Sequence, residues 1–315
     1  MADVVTIGES LGLIQPAPLE RVELASTLRL GIGGAESNVA IGVSRLGGTA
    51  TWIGRVGDDD LGRRIRRELN AEGVHVRAIV DAEASTALML KEHHPVGPSR
   101  VRYYRTGSAG SRLAPEDLPG EWIGGAGLLH VTGITPSLSP LADAAVHRVL
   151  DLAEEAGIPV SFDVNHRATL KRHRDAAALY SSIARRATVL FAGDDEARLL
   201  VPDARDDDEL LRGMSELGPV EAVLKLGDRG CRAVVDGQGY DLPAIPVTVV
   251  DTVGAGDAFV AGYLADRMRG ASPAARLQTA VRCGAFACTS PGDWEGSPRR
   301  DDLERLAGSV DPVLR

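Results

Sequence analysis

The chain has 315 residues, with 35 Lys plus Arg against 44 Asp plus Glu, for a formal net charge of −9. That balance excludes a nucleic-acid binder, which needs a basic face to release counterions, and no apolar run reaches the roughly 18 residues of a membrane span. Apolar residues make up 44% and aromatics only 4%, so a soluble globular core must be built mainly from Ala, Val, Leu and Ile.

Met1-Ala-Asp-Val-Val-Thr-Ile7 has no basic stretch followed by an apolar one, so no signal peptide is expected and the protein is read as cytoplasmic. Val4–Ile7 predicts a first strand. Ala35–Leu46, after Gly33-Gly34, has helical apolar spacing and ends at Gly47-Gly48. Thr49–Val56 reads as a strand and Leu61–Glu72 as an amphipathic helix. There follow strand Leu128–Thr132, helix Leu141–Ala156, strand Val160–Asp163, helix Ala176–Arg186 and strand Thr188–Phe191. Strand Ala222–Leu226, an antiparallel pair around Gly237 and strand Val247–Val250 come next. Two helices close the core, one after Gly256 and one opened by the N-cap and N1 pair Ser272-Pro273. Strands alternating with helices predict an α/β fold with a mainly parallel sheet covered on both faces.

Two stretches, 15–32 and 76–106, carry strand-like runs with no helix between them: Arg21–Leu30, Val76–Val80, Ala87–Glu92 and Val101–Arg105. They are expected to form a separate small antiparallel sheet, a lid inserted into the α/β core rather than an independent domain. The three cysteines, Cys231, Cys283 and Cys288, have no C-x-x-C spacing and read as small buried hydrophobes. Glu92-His93-His94, next to Pro95 and Gly97, reads as a hairpin tip rather than a metal site. Asp206-Asp-Asp-Glu209 reads as the charged start of a helix.

The strongest chemical signal is Asp251-Thr-Val-Gly-Ala-Gly-Asp257-Ala-Phe259. A strand-like run meets a Gly-Ala-Gly turn and a helix begins at once, so the amides of Ala255, Gly256 and Asp257 face an anion. An acid there would repel phosphate unless it accepts a proton from an attacking hydroxyl, which makes Asp257 a candidate base. Other phosphate motifs fail. Lys91, Lys171 and Lys225 are followed by Glu, Arg and Leu, so there is no G-x-x-x-x-G-K-[ST]. The third glycine of G-x-G-x-x-G is Phe259 in one run and Glu36 in the other, which disfavours a dinucleotide oxidoreductase. His166-Arg167-Ala168 is not the H-R-D of protein kinases. The second signal is Gly33-Gly34-Ala-Glu-Ser-Asn38-Val-Ala40 before Leu46-Gly47, a turn whose backbone can press on a polyol while Asn38 donates and accepts.

These two motifs, in this order and roughly 220 residues apart, resemble the signatures of the ribokinase (PfkB) family of sugar kinases over essentially the whole chain. The resemblance implies a ribokinase-like, doubly wound sheet with helices on both faces and a small β-sheet lid, ATP as phosphoryl donor and Mg²⁺ beside it. It also implies that Asp257 is the catalytic base and that Gly254, Ala255 and Gly256 form the anion hole. The runs Tyr103-Tyr-Arg105-Thr-Gly-Ser-Ala-Gly110, Gly133-Ile134-Thr-Pro-Ser-Leu-Ser139 and Asp163-Val-Asn165-His-Arg167 resemble the branch of that family that phosphorylates 2-keto-3-deoxygluconate. By that likeness Gly34, Tyr103, Arg105, Arg167, Asp257 and Asp293 contact the sugar acid, with Asn38 and Ile134 beside them. An Arg fork suits a carboxylate, which supports Arg105 and Arg167 as a clamp.

On the nucleotide side, Lys225-Leu-Gly227-Asp228-Arg-Gly230 looks like the family turn along the phosphates and ribose, with Asn165, Arg167, Gly254 and Gly256 contributing. Glu196 matches an acid that supports Mg²⁺ through water, although Gly193 stands where that motif has Asn. Met89 replaces a Tyr found in some relatives, leaving an apolar lid contact. A monovalent cation near Asp251 and Val253 is also implied, as is a homo-oligomer formed through the lid. The alternatives are another sugar kinase of the family, such as fructokinase or a ribokinase-like enzyme, and a non-catalytic sugar-acid sensor on the same fold.

Overall fold

Alternating residues of the central strands pack against opposite helical layers, and this period of two organises the molecule. The computed structural model describes residues 2–17, 20–92, 100–170 and 175–307. Thirteen strands lie among them: β1 (Val4–Ile7), β2 (Leu11–Gln15), β3 (Arg29–Gly33), β4 (Ala50–Gly57), β5 (His75–Asp81), β6 (Leu88–Glu92), β7 (Arg100–Tyr104), β8 (Leu128–Thr132), β9 (Val160–Asp163), β10 (Val189–Gly193), β11 (Glu221–Lys225), β12 (Cys231–Val235) and β13 (Gln238–Leu242). The α-helices are α1 (Ala35–Arg45), α2 (Asp60–Ala71), α3 (Thr135–Leu138), α4 (Pro140–Glu155), α5 (Ala176–Ala184), α6 (Asp194–Leu200), α7 (Asp207–Glu216), α8 (Ala255–Met268), α9 (Pro273–Ala287) and α10 (Arg300–Ala307).

The large sheet has nine strands in the order β13-β12-β11-β10-β9-β8-β1-β4-β5. It is parallel from β11 to β5, and β12 and β13 add an antiparallel edge. Val5, Leu129 and Leu190 face one apolar cluster, shared with α4, α5 and α7. Their neighbours Val4, Leu128 and Val189 face a second cluster, shared with α1, α2, α8 and α9. Burial on both faces explains the near-continuous Val, Leu and Ile runs of these strands. The helix starts follow their caps: Ser139 accepts from Ala142 N, Asp206 from Glu209 N, and Ser272 from Ala275 N.

The second sheet is small, in the order β3-β2-β6-β7, over a core of Leu11, Leu13, Ala87 and Met89. Its membership differs from the sequence expectation in three ways. The strand over 76–80 belongs to β5, which pairs parallel with β4 in the large sheet. Its place is taken by β2, from the segment just after β1. The small sheet is also mixed rather than antiparallel, because β2 pairs parallel with β6. The two strands follow β1 and β5, which point the same way. Within 21–30, residues 22–24 form turns, and pairing starts only at Arg29. Val247–Val250 is no strand. Val249 and Val250 are exposed, and Val250 N donates to the Cys288 carbonyl at 2.8 Å. The β-branched pattern is there, but β13 and not this run closes the sheet edge. Cys231 and Cys283 are buried, and burial pushes each thiol up to about 12, as an inert core position requires.

Candidate active site

Chain order runs outward in both directions from β1, to β4 and β5 on one side and from β8 to β11 on the other. Open α/β sheets place ligands at the carboxyl ends of strands flanking such a switch point. A cavity of about 490 Å³ lies there. Its floor comes from residues after β1 (Glu9), β8 (Ile134), β9 (Asn165, Arg167) and β10 (Glu196), and from the last residue of β11 (Lys225). Leu11, Met89, Val101, Tyr103 and Arg105, from or next to the small sheet, form the opposite wall.

Asp257 sits in the first turn of α8, 7% exposed. Gly254 precedes the helix in the left-handed region, φ 79°, and no side chain caps the helix. The Asp257 carboxylate instead receives two amides: Asn38 Nδ2 donates to Oδ2 at 2.8 Å and Asn165 Nδ2 to Oδ1 at 3.2 Å. Asn165 is one of two non-glycine residues with positive φ among those described, at 40°, a strained backbone of the kind that collects at working sites. Burial and the nearby Asp293 carboxylate push Asp257 up to about 7, against the pull of Asn38 and Arg167. A base poised near neutrality suits proton abstraction.

Asp293 is brought to this point by glycines. Its Oδ2 accepts from Gly34 N at 3.3 Å. A Cβ at Gly33 would stand 2.0 Å from that oxygen, and one at Gly34 would stand 2.4 Å from the Glu9 carbonyl. A Cβ at Gly254 would stand 1.7 Å from the Asp293 carbonyl, so the 254–256 turn and the 292–293 loop touch through backbone. Burial also raises Asp293, while Asn38 opposes it.

Both arginines reach the cavity, in different states. Arg105 is bound to Glu9: Nε donates to Oε2 at 2.8 Å, and Nη2 donates to the same oxygen. Ser108 Oγ holds the other Glu9 oxygen at 2.7 Å, and the guanidinium carbon lies 4.8 Å from the centre of the Tyr103 ring. The simple clamp expected of Arg105 is therefore modified. Glu9 neutralises its charge and orients it, leaving the Nη1 side of the fork for a ligand. Arg167 Nη1 donates to the His166 carbonyl at 3.3 Å. Burial works against its charge, but Tyr103, Asp257, Glu196 and Asp163 outweigh that and raise its pKa.

Lys225, at the end of β11, donates to both oxygens of Asp163 at 2.7 and 2.9 Å and lies 4.0 Å from Glu196. A Cβ at Gly256 would stand 3.8 Å from its Nζ, which puts the ammonium beside the 254–256 turn. Burial opposes this charge, and Asp163 and Glu196 more than restore it. Glu196 accepts from His166 N at 2.9 Å and from Gly193 N at 2.7 Å. The amide of Gly193 is thus spent on its own helix start. Gly227, Asp228 and Gly230 form a tight turn outside the cavity lining.

No group of three or more metal-ligating His, Cys, Asp or Glu exists among the described residues. Mg²⁺ is commonly held by one or two carboxylates, water and substrate phosphates. Glu196 keeps lone pairs and lines the cavity, so it fits a role through water. The monovalent cation expected beside Asp251 and Val253 does not fit. Lys91 Nζ donates to Asp251 Oδ2 and to the Gly292 carbonyl, the latter at 3.2 Å. Val253 N donates to Asp251 Oδ1 at 3.2 Å. The oxygens there already surround a cation that the chain supplies.

His93 and His94 lie outside the described residues. Glu9 and Glu36 were missed by the sequence reading. Glu36 lines the cavity fully buried, and its Oε1 accepts from Thr132 and Thr135 at 2.7 Å each. Burial raises its pKa. The position of Glu9 two residues past β1, at a strand's carboxyl end, was the available signal.

A family model described as "pfkB family carbohydrate kinase" matches residues 1–300. The chain is 36% identical to the 2-dehydro-3-deoxygluconokinase of Bacillus subtilis, over 96% of this chain and 94% of that one. It is 35% identical to a fructokinase of Klebsiella pneumoniae, over 87% and 91%. Among solved structures, a PfkB protein from Polaromonas sp. JS666 is 30% identical with TM-score 0.87, covering 96% and 99%. The aminoimidazole riboside kinase of Salmonella enterica, complexed with aminoimidazole riboside and an ATP analog, is 29% identical with TM-score 0.81, covering 97% and 99%.

Proposed function

The chain belongs to the pfkB family of carbohydrate kinases, and within it we propose that it transfers the γ-phosphoryl group of ATP to the terminal hydroxyl of 2-keto-3-deoxygluconate. The observation that carries this reading is a pair of guanidinium groups, Arg105 and Arg167, in one cavity with the Asp257 carboxylate. A neutral sugar has no group that calls for two arginines. The name of the Bacillus subtilis relative points the same way.

In the proposed reaction the acid's carboxylate meets Arg167 and the open side of Arg105, and Asp293 and Asn38 receive its hydroxyls. Asp257 takes the proton of the terminal hydroxyl. The sugar oxygen bonds to the γ-phosphorus as the bond from that phosphorus to the β-phosphate oxygen breaks, releasing ADP. The amides of Gly254–Asp257, at the positive end of α8, and the Lys225 ammonium stabilise the phosphoryl oxygens. Mg²⁺, when bound with ATP near Glu196, supplies further charge neutralisation. The small sheet acts as a lid that excludes water. Its apolar exposure at Leu28, Leu30 and Tyr104 suits contact with a second copy of the chain.

The second reading is a fructokinase, favoured by the Klebsiella pneumoniae relative and by the Glu9 carboxylate, which halves the positive charge on the acid-binding side. An ADP-release assay with 2-keto-3-deoxygluconate, its galactonate epimer and fructose separates them. Turnover of fructose without turnover of either acid removes the first reading.

A further inference from the structure

Lys91 occupies an unusual place for a lysine. It lies on β6, two residues beyond Met89 and so on the same inward face, and is 1% exposed. Lysine is almost never buried without a partner, and only three occur in the chain. Its ammonium stands among oxygens: the Asp251 carboxylate and, at 3.2 Å, the carbonyl of Gly292. Lys91 does not line the cavity.

Its partners Asp251 and Gly292 stand next in the chain to the lining residues Thr252 and Asp293. Asp251 Oδ1 accepts from Val253 N at 3.2 Å and Oδ2 from Gly292 N at 3.4 Å. The carboxylate therefore ties together the two segments that flank the anion hole: 251–254, which leads into α8, and 292–293, which delivers Asp293. These segments touch where Gly254 meets the Asp293 carbonyl. One buried positive charge neutralises the carboxylate and holds both loops.

We propose that Lys91 is a tethered monovalent cation: its ammonium does permanently what a bound potassium ion would do at Asp251 and Gly292, so phosphoryl transfer by this chain needs no monovalent ion. An ammonium and a potassium ion carry the same charge and both accept oxygen neighbours, but the lysine cannot dissociate and comes from the small sheet. Lys91 is thus a positioning residue. It acts through Asp251 and Gly292 on the amides that bind the transferring phosphoryl group, and it joins the small sheet to the anion hole. A buried salt bridge serving only stability would make the same contacts, but no added cation would replace it in turnover.

This inference rests on the kinase reading above, and the test separates the two. Turnover of wild type and Lys91→Ala is measured in potassium chloride and in choline chloride, each at about 0.1 M so that screening is constant. Wild type is expected to turn over equally in both salts. Lys91→Ala is expected to lose at least about tenfold in kcat in choline, with a smaller change in sugar KM, and to recover most of it in potassium. Potassium stimulation of wild type overturns the proposal, as does a Lys91→Ala enzyme that stays active in choline or stays impaired in both salts. If Lys91→Ala does not fold, the wild-type comparison decides. Wild type inactive on every sugar and sugar acid removes the kinase reading instead.

Discussion

Asp257→Asn separates the chemistry of the site from its stability. The wild-type carboxyl is pushed to about 7 by burial and by Asp293, well above its ordinary 3.8. A carboxyl raised on folding binds its proton more tightly in the native state, so its contribution to stability is present below the ordinary value and lost as pH rises through about 7. At pH 8 the buried anion therefore opposes folding by up to about 4 kcal/mol, from about three pKa units at about 1.4 kcal/mol each. Asparagine removes that penalty. It also presents one acceptor oxygen where the carboxylate met both Asn38 and Asn165, and an unmatched buried donor returns about 1–3 kcal/mol. The variant should be more stable than wild type by about 1–3 kcal/mol at pH 8 and less stable by about 1–3 kcal/mol at pH 4, where the penalty has gone and only the unmatched donor remains, read by denaturant unfolding at both pH values. Its kcat should fall by about 10²–10⁴. Retained turnover, or a stability difference that does not change with pH, would show that the Asp257 carboxylate is neither the base nor held with a raised pKa.

Other outcomes follow from the same geometry. For wild type, kcat/KM should fall as pH drops below about 7, tracking protonation of Asp257, in a pH–rate profile. Arg105→Ala leaves the buried Glu9 anion unpaired and should destabilise the protein by about 3–5 kcal/mol, whereas the Glu9→Gln/Arg105→Gln double variant should recover much of that loss in thermal melts. The double variant should still bind a sugar acid more weakly than wild type, by KM. Gly33→Ala puts a methyl group against Asp293 Oδ2 and should raise sugar KM while ATP KM changes little, since the displaced group belongs to the acceptor side.

Local signals carried much of the fold. The β-branched runs at Val4–Ile7 and Leu128–Thr132 and the Ser-Pro start at Ser272 appear as strands and a helix because propensity and burial agree there. The failures came where partnership decides. The run at 247–250 has strand composition but meets Cys288 instead of a strand, and 76–80 joins β4 because the parallel edge is open to it. At the site, Asp257 and Asn38 were legible through the glycines beside them, and Asp293 only through the family resemblance. The Glu9–Arg105 and Lys91–Asp251 pairs were not, because 96 and 160 residues separate the partners and no local pattern marks either.

The acceptor proposed for this kinase is an acidic sugar, not a neutral one. The most direct measurement is kcat/KM for 2-keto-3-deoxygluconate and for fructose at the same saturating ATP, with ADP release as the readout. A carboxylate bound by charge-assisted hydrogen bonds to Arg167 and Arg105 should favour the acid by at least about 2–3 kcal/mol, roughly a hundredfold. Equal or greater efficiency on fructose would contradict it.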